Sequence, residues 1–570
     1  FASFDAIGFI SLMEAKTGRQ PTRWLEQQLY KRDRFNDAAE FSAKLVREFV
    51  PGARVSHDIA VVPAKPSWNM PRMTKVIDAF IQSDLEHFDK RNKDRLGSGY
   101  WFGYYQNETG EWQMRTKPWE SLFQGGKAIA WWPGNLAFTT DLSAPLLCLK
   151  QASEEIRDIR NGADQLLMAA NKRVDPILIL WSWESWMAAI CNPLETDWFN
   201  AVNSFINLFR RTGLDYQCVG EDFLLERLQF GPEQRVLVLP ASQSISRAAV
   251  EKIRAFAAAG GIVIADYLPA TMDEYLRPYG AAPAKPTGEV KFETCPKCKG
   301  KKVIHLGGAG DPLGNCPVCG GTGSVAKGGS LVLDKSILDD VFDFTKKGIK
   351  PSGKGYGVFL KGAPARDEWR ALRTMLTEKG GVRSDLEVLD ILGNTRTDLR
   401  TFVFDSGPAL FVGVLPDKTV ADPPGEEFIL KTANPMHAYN VRTHAYLGRS
   451  AAITAGILPT QAKLFALLPA RIEGLAVIAD KTTSRPGEVV SLDIKTMPES
   501  LKEVSLAVRV EVLKDGKAIE AHTKNLTLKG AARHPVPLAL NQEPGEYTVR
   551  LTEVISGQRQ EVKINVEAKR

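Results

Sequence analysis

Two groups of residues in this 570-residue chain have types and spacings that could do chemistry. The first is a set of carboxylates in aromatic surroundings. Glu14 sits at the tip of the apolar run Ala6 to Met13, and Glu108 and Glu111 lie in the aromatic stretch Gly97 to Asn135. Flat rings stack on pyranose faces, while carboxylates bond sugar hydroxyls or serve as acid and base. Hydrolysis with retention needs two carboxyls about 5 Å apart, and inversion roughly 6.5 to 9.5 Å. The second group is Cys295-Pro-Lys-Cys298 and Cys316-Pro-Val-Cys319, with seventeen residues between the pairs. Each C-x-x-C makes a tight turn presenting two thiolates, and two such turns complete a zinc tetrahedron. Four thiolates leave zinc no open position, so the site reads as structural. A disulfide pair and a redox C-x-x-C are the alternatives. His305 reads as a solvated loop residue, and Cys148, Cys191 and Cys218 as buried core.

The carboxylates need elements to hold them. Tyr100 to Tyr105 has strand length, Trp119 to Phe123 opens a short helix ending at Gly125-Gly126, and Ala128 to Trp132 is a second strand stopped by Pro133-Gly134. Two strands joined by one helix form a parallel βαβ unit, whose chemistry sits in the loops leaving the strands. Here those loops are Gln106 to Pro118 and Pro133 to Ser143, carrying Asn107, Glu108, Glu111, Trp112, Arg115, Asn135 and Asp141. The competing reading is a buried βαβ unit with ordinary polar loops. Trp101, Trp112, Trp131 and Trp132 would then be core rather than stacking platforms.

Along the chain, a helix is expected over Phe35 to Phe49 from the spacing of Ala38, Phe41, Leu45 and Phe49, with strands at Ala53 to Val62 and Val76 to Ile81. Asp84, Glu86, His87 and Asp89 follow in a loop. Leu142 to Ala170 is a long helical pattern. A second α/β segment then runs through the strand PILILWSW, a helix over Asp197 to Thr212, strands at Leu214 to Val219 and RVLVLP, a helix over Ser246 to Ala259, and IVIADY. It reads as an open doubly wound sheet with no nucleophile elbow, hence structural or interfacial. Beyond Gly355 to Leu360 and a helix over Glu368 to Lys379, strands dominate: a β-sandwich to about 470, then a second of immunoglobulin type from Arg471.

Composition narrows the classes. Charged residues are 25% and net charge is +6 without a Lys/Arg block, so neither nucleic acid nor a membrane surface is implied. No apolar run approaches the roughly 18 residues of a membrane helix. Eleven of twelve Trp precede residue 200, which places an aromatic-lined site in the N-terminal third. The chain opens on Phe1 inside an apparent strand, which suggests a missing N-terminus. Compartment is undetermined, with immunoglobulin-like modules leaning toward secreted or periplasmic placement and reduced thiolates the other way.

The order of elements resembles glycoside hydrolase family 42, the β-galactosidases with a barrel, a trimerisation domain and a small C-terminal sandwich. The residues carrying this are VLVLPASQSISRAAVEKIRAFAAAGGIVIADY, the later LDDVF, and WESLFQGGKAIAWW, similar to the family's last barrel helix and strand. CPVCGGTG is similar to DnaJ-type chaperone repeats. The resemblance spans about residues 1 to 470 and implies an α/β multidomain architecture. Residues 1–170 would be the C-terminal half of a (β/α)8 barrel, its first three strands upstream of Phe1. Residues 171–384 would be a flavodoxin or class I amidotransferase-like trimerisation domain with a zinc-ribbon insertion at 285–328. Sandwiches at 385–470 and 471–570 would follow.

The resemblance also implies the site. Glu14 is placed like the family's acid/base, although Met13 stands where an Asn is usual. Counting back from Trp112 puts Tyr104 where the nucleophile Glu belongs, and Glu108 lies four residues later. The catalytic candidates are therefore Glu14 and Glu108. Tyr104, Trp112, Arg115 and Trp132 are the candidate sugar contacts, and Cys295, Cys298, Cys316 and Cys319 the structural zinc ligands. The implied activity is hydrolysis of β-galactoside-like glycosides by a homo-oligomer, a trimer by resemblance. Against it stand a catalytically inactive sugar-binding or assembly protein, favoured by Tyr104, and a scaffold whose ribbon docks a protein partner.

Overall fold

The computed structural model describes residues 12, 15, 21–53, 55–57, 70–73, 79–80, 99–101, 109–126, 130–132, 139, 141, 143–144, 147–192, 198–280, 291–294, 303–305, 313–315, 324–327, 335–382, 385–417 and 427–568. In chain order the elements needed below begin with α1 (Pro21–Phe49), β1 (Ser56–His57), β2 (Ala79–Phe80), β3 (Gly99–Trp101), α2 (Thr109–Phe123), β4 (Ala130–Trp132) and α3 (Leu147–Asp158). Then come β5 (Ile177–Leu180), α4 (Trp183–Cys191), α5 (Trp198–Arg211), β6 (Gln217–Val219), α6 (Glu221–Arg227), β7 (Val236–Leu239), α7 (Arg247–Ala259) and β8 (Ile262–Ala265). The short strands β9 (Lys291–Thr294), β10 (Val303–His305), β11 (Leu313–Asn315) and β12 (Ser324–Lys327) follow, with β13 (Gly348–Ser352), β14 (Gly355–Phe359) and α8 (Trp369–Glu378). The last group is β15 (Leu386–Leu389), β16 (Leu399–Ser406), β17 (Ala409–Pro416), β18 (Glu427–Asn440), β19 (Ala445–Gly456) and β20 (Lys463–Leu468), ahead of the C-terminal strands.

Contacts divide the chain into two units, one of residues 1–95, 174–209 and 215–383, the other of residues 96–173, 210–214 and 384–570. In the first, β1 and β2 pair in parallel. The second α/β segment forms one six-stranded sheet in the order β13-β14-β8-β7-β5-β6, parallel except for the edge strand β13. Its parallel strands, taken in sequence as one to five, lie in the order 2-1-3-4-5 expected of a doubly wound sheet. Their near-unbroken Val, Ile and Leu runs are fully buried in β5, β7 and β8, as strands covered on both faces must be. Ser246 caps α7 by accepting from the Ala249 N–H, and Gly260 ends it at φ 128°.

Several expectations about this unit are corrected. The segment after β5 is not a continuing strand: Ser182 accepts from the Ser185 N–H at 2.9 Å and starts helix α4. α1 begins fourteen residues earlier than its apolar spacing suggests, at Pro21, a residue suited to a first helical turn. The spacing that announced α1 is also not its core. Phe41, Leu45 and Phe49 are exposed, while Trp24, Leu25 and Ala43 are buried. Cys191 and Cys218 are buried, as read from their apolar contexts.

In the second unit, β3 and β4 pair in parallel through Gly99↔Ala130, Tyr100↔Trp131 and Trp101↔Trp132, as the βαβ reading requires. The strands of 385–470 form one antiparallel sheet, β15-β18-β20-β17-β16, with Asn171–Lys172 at its edge and β19 on β18. Alternation along the strands gives each face a core. Phe402, Phe404 and Phe411 pack with Trp119, Phe123, Leu166 and Leu167 of the helical segments, and Val403, Val412 and Val414 pack with Phe428, Ile453 and Phe465. The C-terminal hundred residues are a two-sheet sandwich whose core draws Leu492 and Ile494 from one sheet and Val510, Tyr547 and Val549 from the other.

Candidate functional site

α2 is the element closest in sequence to the candidate sugar site. It is one helix from Thr109 to Phe123, so the expected loop over Gln106 to Pro118 is corrected, and Glu111, Trp112 and Arg115 are helical. Pro118, the end of that expected loop, sits inside the helix. Thr116, two residues before it, turns its hydroxyl onto the Trp112 carbonyl at 2.6 Å. The helix ends where Gly125-Gly126 predicts. Gly125 takes φ 96°, its N–H donates to the Leu122 carbonyl, and the Gly126 N–H donates to the Ser121 carbonyl, the two bonds of a Schellman stop.

Of the site residues read from the sequence, Trp112 is half-buried, and its Nε1 is buried without a hydrogen-bond partner. Arg115 Nη1 donates to Glu154 at 3.0 Å and Glu155 at 3.2 Å, tying α2 to α3. Trp132 ends β4. Glu14, Tyr104, Glu108 and the four cysteines Cys295, Cys298, Cys316 and Cys319 lie outside the described residues, as does the loop with Asp84, Glu86, His87 and Asp89; of the strand expected over Ala6 to Met13 only Leu12 is described, and it is helical, which corrects that expectation at its C-terminal end. Asp141 ties its own turn, accepting from the Thr139 and Ser143 hydroxyls and the Ser143 N–H. Those bonds hold its carboxyl down at about 2.

Behind α2 is a buried ionic layer that the sequence reading did not find. Glu120, 4% exposed, pairs with Arg400 of β16 through one oxygen and with Lys117 Nζ at 2.6 Å through the other. Burial pushes this carboxyl up, but the charges of Arg400 and Lys117 outweigh it and hold the group far below the ordinary carboxylate range. Trp119 Nε1 donates to Glu155 at 2.8 Å. Arg442 donates to Glu155 at 2.7 Å and Asp158 at 2.6 Å, with its guanidinium 4.7 Å over the Trp119 ring. These contacts fix α2 against the sheet and α3. Only Glu120 and Glu155 inside amphipathic patterns hinted at the layer, because their partners lie some 280 residues away.

The doubly wound sheet has its own candidate crevice, where strand order reverses between β5 and β7. Its polar side chains are engaged with one another. Ser185 Oγ donates to the Ser244 carbonyl at 2.8 Å and accepts from the Ser244 N–H at 3.1 Å, and Asn192 Nδ2 donates to Gln243 Oε1 at 2.9 Å. Ala241 adopts φ 41° just after β7, and Asp266 at the end of β8 supports it by accepting from the Ala241 and Tyr267 N–H groups at 2.7 and 2.8 Å. The left-handed residue is an alanine and α7 starts only at Arg247, so this turn is not a nucleophile elbow, as the sequence implies. Burial pushes Asp266 to about 7, against the pull of those two bonds. Burial also lifts Glu221 to about 7, with Glu184 and Glu274 adding repulsion.

The cysteine region is placed by its flanking ladders. β9 pairs antiparallel with β12, bringing Thr294 beside Ser324, and β10 with β11, bringing Val303 beside Asn315. The segments 295–302 and 316–323, each holding one C-x-x-C, therefore both connect the same two ladders.

Several solved β-galactosidases share this fold. The chain shares a fold with β-galactosidase from Bacillus circulans sp. alkalophilus at 11% identity and TM-score 0.53, over 78% of this chain and 68% of that one. A catalytic mutant of a family 42 β-galactosidase from G. stearothermophilus aligns at 12% identity and TM-score 0.53, over 82% and 71%. The β-galactosidase of Rahnella sp. R3 aligns at 10% and 0.50, over 78% and 68%. Residues 177–286 match the β-galactosidase trimerisation domain. No curated protein matches the chain by sequence. The chain is thus an α/β multidomain protein with a β-rich C-terminal region, similar in fold to these β-galactosidases.

Proposed function

We propose that this chain is a glycoside hydrolase acting on β-galactosides or related glycosides, with Glu14 as proton donor and Glu108 as nucleophile or base. The observation that carries the reading is the alignment of 78% of the chain with a β-galactosidase at TM-score 0.53, reinforced by the trimerisation-domain match. The parallel β3-α2-β4 unit supports it too: the segment holding Tyr104 and Glu108 leaves the C-terminal end of β3, where such units carry chemistry. Trp112 and Arg115 of α2, with Tyr104 and Trp132, are the proposed sugar contacts. Trimer formation through the domain over 177–286 belongs to the same reading, as does the C-terminal half-barrel over 1–170.

The second reading is a catalytically inactive sugar-binding or assembly protein. The residue favouring it is Tyr104, standing where the family's nucleophile is expected. Zinc held by Cys295, Cys298, Cys316 and Cys319 is compatible with either, and the two ladders flanking the cysteine segments support a ribbon at 285–328. Four thiolates would make the metal structural.

A panel of aryl glycosides assayed beside Glu14→Gln and Glu108→Gln tests the choice. Paired-carboxylate hydrolysis predicts turnover of at least one β-glycoside and a loss of about 10²-fold or more in each variant. Binding without turnover would leave the inactive reading standing.

A further inference from the structure

The β18–β19 ladder gathers basic and aromatic side chains at the surface. Arg449 stands directly across from His437, and Tyr446 across from Tyr439. His437 Nδ1 and the Tyr446 hydroxyl share a hydrogen bond at 2.8 Å, and the guanidinium of Arg471, just beyond β20, lies 4.8 Å over the Tyr446 ring. Behind them is a fixed base: Tyr439 is buried, its ring centroid 5.0 Å from that of Tyr446, and its hydroxyl accepts from the Ile472 N–H at 3.0 Å. Arg449, Tyr446 and Arg471 are exposed, and His437 is half-buried. Among the described residues, neither Arg449 nor Arg471 is held in an ion pair. Partial burial, then the charges of Arg449 and Arg471, push His437 below its ordinary value, and across β20 it meets only Leu468. Gathered positive charge of this kind is unfavourable until a negative group joins it.

We propose that His437, Arg449 and Arg471 bind the oxyanion of an acidic sugar, a uronate carboxylate or a sulfate ester. Stacking on Tyr446 engages the flat face of Arg471 and leaves its N–H edge for two oxygens of such a group. Arg449 brings a second guanidinium. With Nδ1 bonded to Tyr446, His437 keeps Nε2 for a further contact. The groups are open to solvent, so an anion carried on a larger molecule can reach them. A net charge of +6 without a Lys/Arg block argues for a ligand with few charges rather than a nucleic acid. The sugar as carrier rests on the glycosidase reading above, whereas the oxyanion contact rests on the geometry alone.

The test is calorimetric titration of the full chain with a galacturonate oligosaccharide, a sulfated galactose oligosaccharide and a neutral galactose oligosaccharide of the same length, beside Arg449→Gln and Arg471→Gln. Both arginines are exposed, so an unchanged Tm is expected and shows that the variants fold. At least one acidic ligand should bind about tenfold or more tighter than the neutral one, and each variant should lose about tenfold of that binding. A bound anion favours the charged imidazole, so acidic-ligand binding should tighten between about pH 7 and about pH 5.5, and His437→Gln should remove that gain. No binding of either acidic oligosaccharide, equal binding of the neutral one, binding undiminished in both arginine variants, or tighter binding of a single-stranded DNA oligonucleotide would overturn the proposal. Failure here leaves turnover of aryl glycosides untouched, and absence of that turnover leaves acidic-ligand binding untouched, so the two readings fail separately.

Discussion

Glu120 and Asp266 are both fully buried carboxylates, and their surroundings drive them in opposite directions. Glu120 faces Arg400 and Lys117 and stays ionised, so it adds stability above the ordinary glutamate range that is lost as pH falls toward its lowered folded value. Removing Arg400 leaves Glu120 buried with Lys117 as its remaining cationic bond partner and one oxygen without its donor. Arg400→Met is expected to cost about 3 to 5 kcal/mol in urea unfolding, more than Glu120 and Arg400 replaced together by apolar residues. Asp266 has only backbone N–H partners and sits at about 7. Its folded value lies above its unfolded one, so its favourable contribution is full at low pH and is lost as pH rises from about 4 to about 7. Glu221, also near 7, acts in the same direction. Asp266→Asn should flatten the decline in Tm between about pH 5 and pH 8, keeping an oxygen for the Ala241 N–H. An unchanged slope would mean that Asp266 is already ionised at the acid end.

Elements were legible in proportion to how local their causes are. The stop of α2 was readable because Gly125 and Gly126 form it unaided, and α7 because Ser246 and Gly260 bound it. The start of α2 lies ten residues before the expected Trp119, with Pro118 inside the helix; packing of Trp119 and Phe123 on the sheet outweighs the lost backbone bond. A kink between α3 and the following helix makes a further prediction. Gly162, at φ 123° in the π-turn Ile159–Ala163, has no room for a Cβ beside the Val554 side chain. Gly162→Ala is therefore expected to cost about 2 to 4 kcal/mol by urea unfolding, from strain and overpacking together. For the cysteine segments, the zinc reading predicts about one zinc per chain by elemental analysis, and Cys298→Ser should lower it to near none while leaving the sheet of β5 to β8 folded.

For the molecule as a whole, the trimer proposal predicts a light-scattering mass of three chains, falling with dilution if the association is weak. A chain that stays monomeric at high concentration would separate the trimerisation-domain fold from its use. No helix among the described residues is long and apolar enough to cross a membrane, in line with the absence of any long apolar run.

Local pattern carried the identity of most elements, the parallel pairing of β3 with β4, the doubly wound order of β5 to β8 and the β-rich C-terminal region. Period, glycine stops and caps act over a few residues and can be read in one dimension. Distant pairing did not show in the same way. Arg400 meets Glu120 and Arg442 meets Glu155 across 280 residues or more, and Asp266 is raised by its burial in the folded chain, against the two N–H bonds it accepts from Ala241 and Tyr267. Nor could the stripe of Phe41, Leu45 and Phe49 reveal which face of α1 is buried. Charge partners, burial and the protonation they impose depend on which segments meet in space, and that choice is made by the packing of the whole chain.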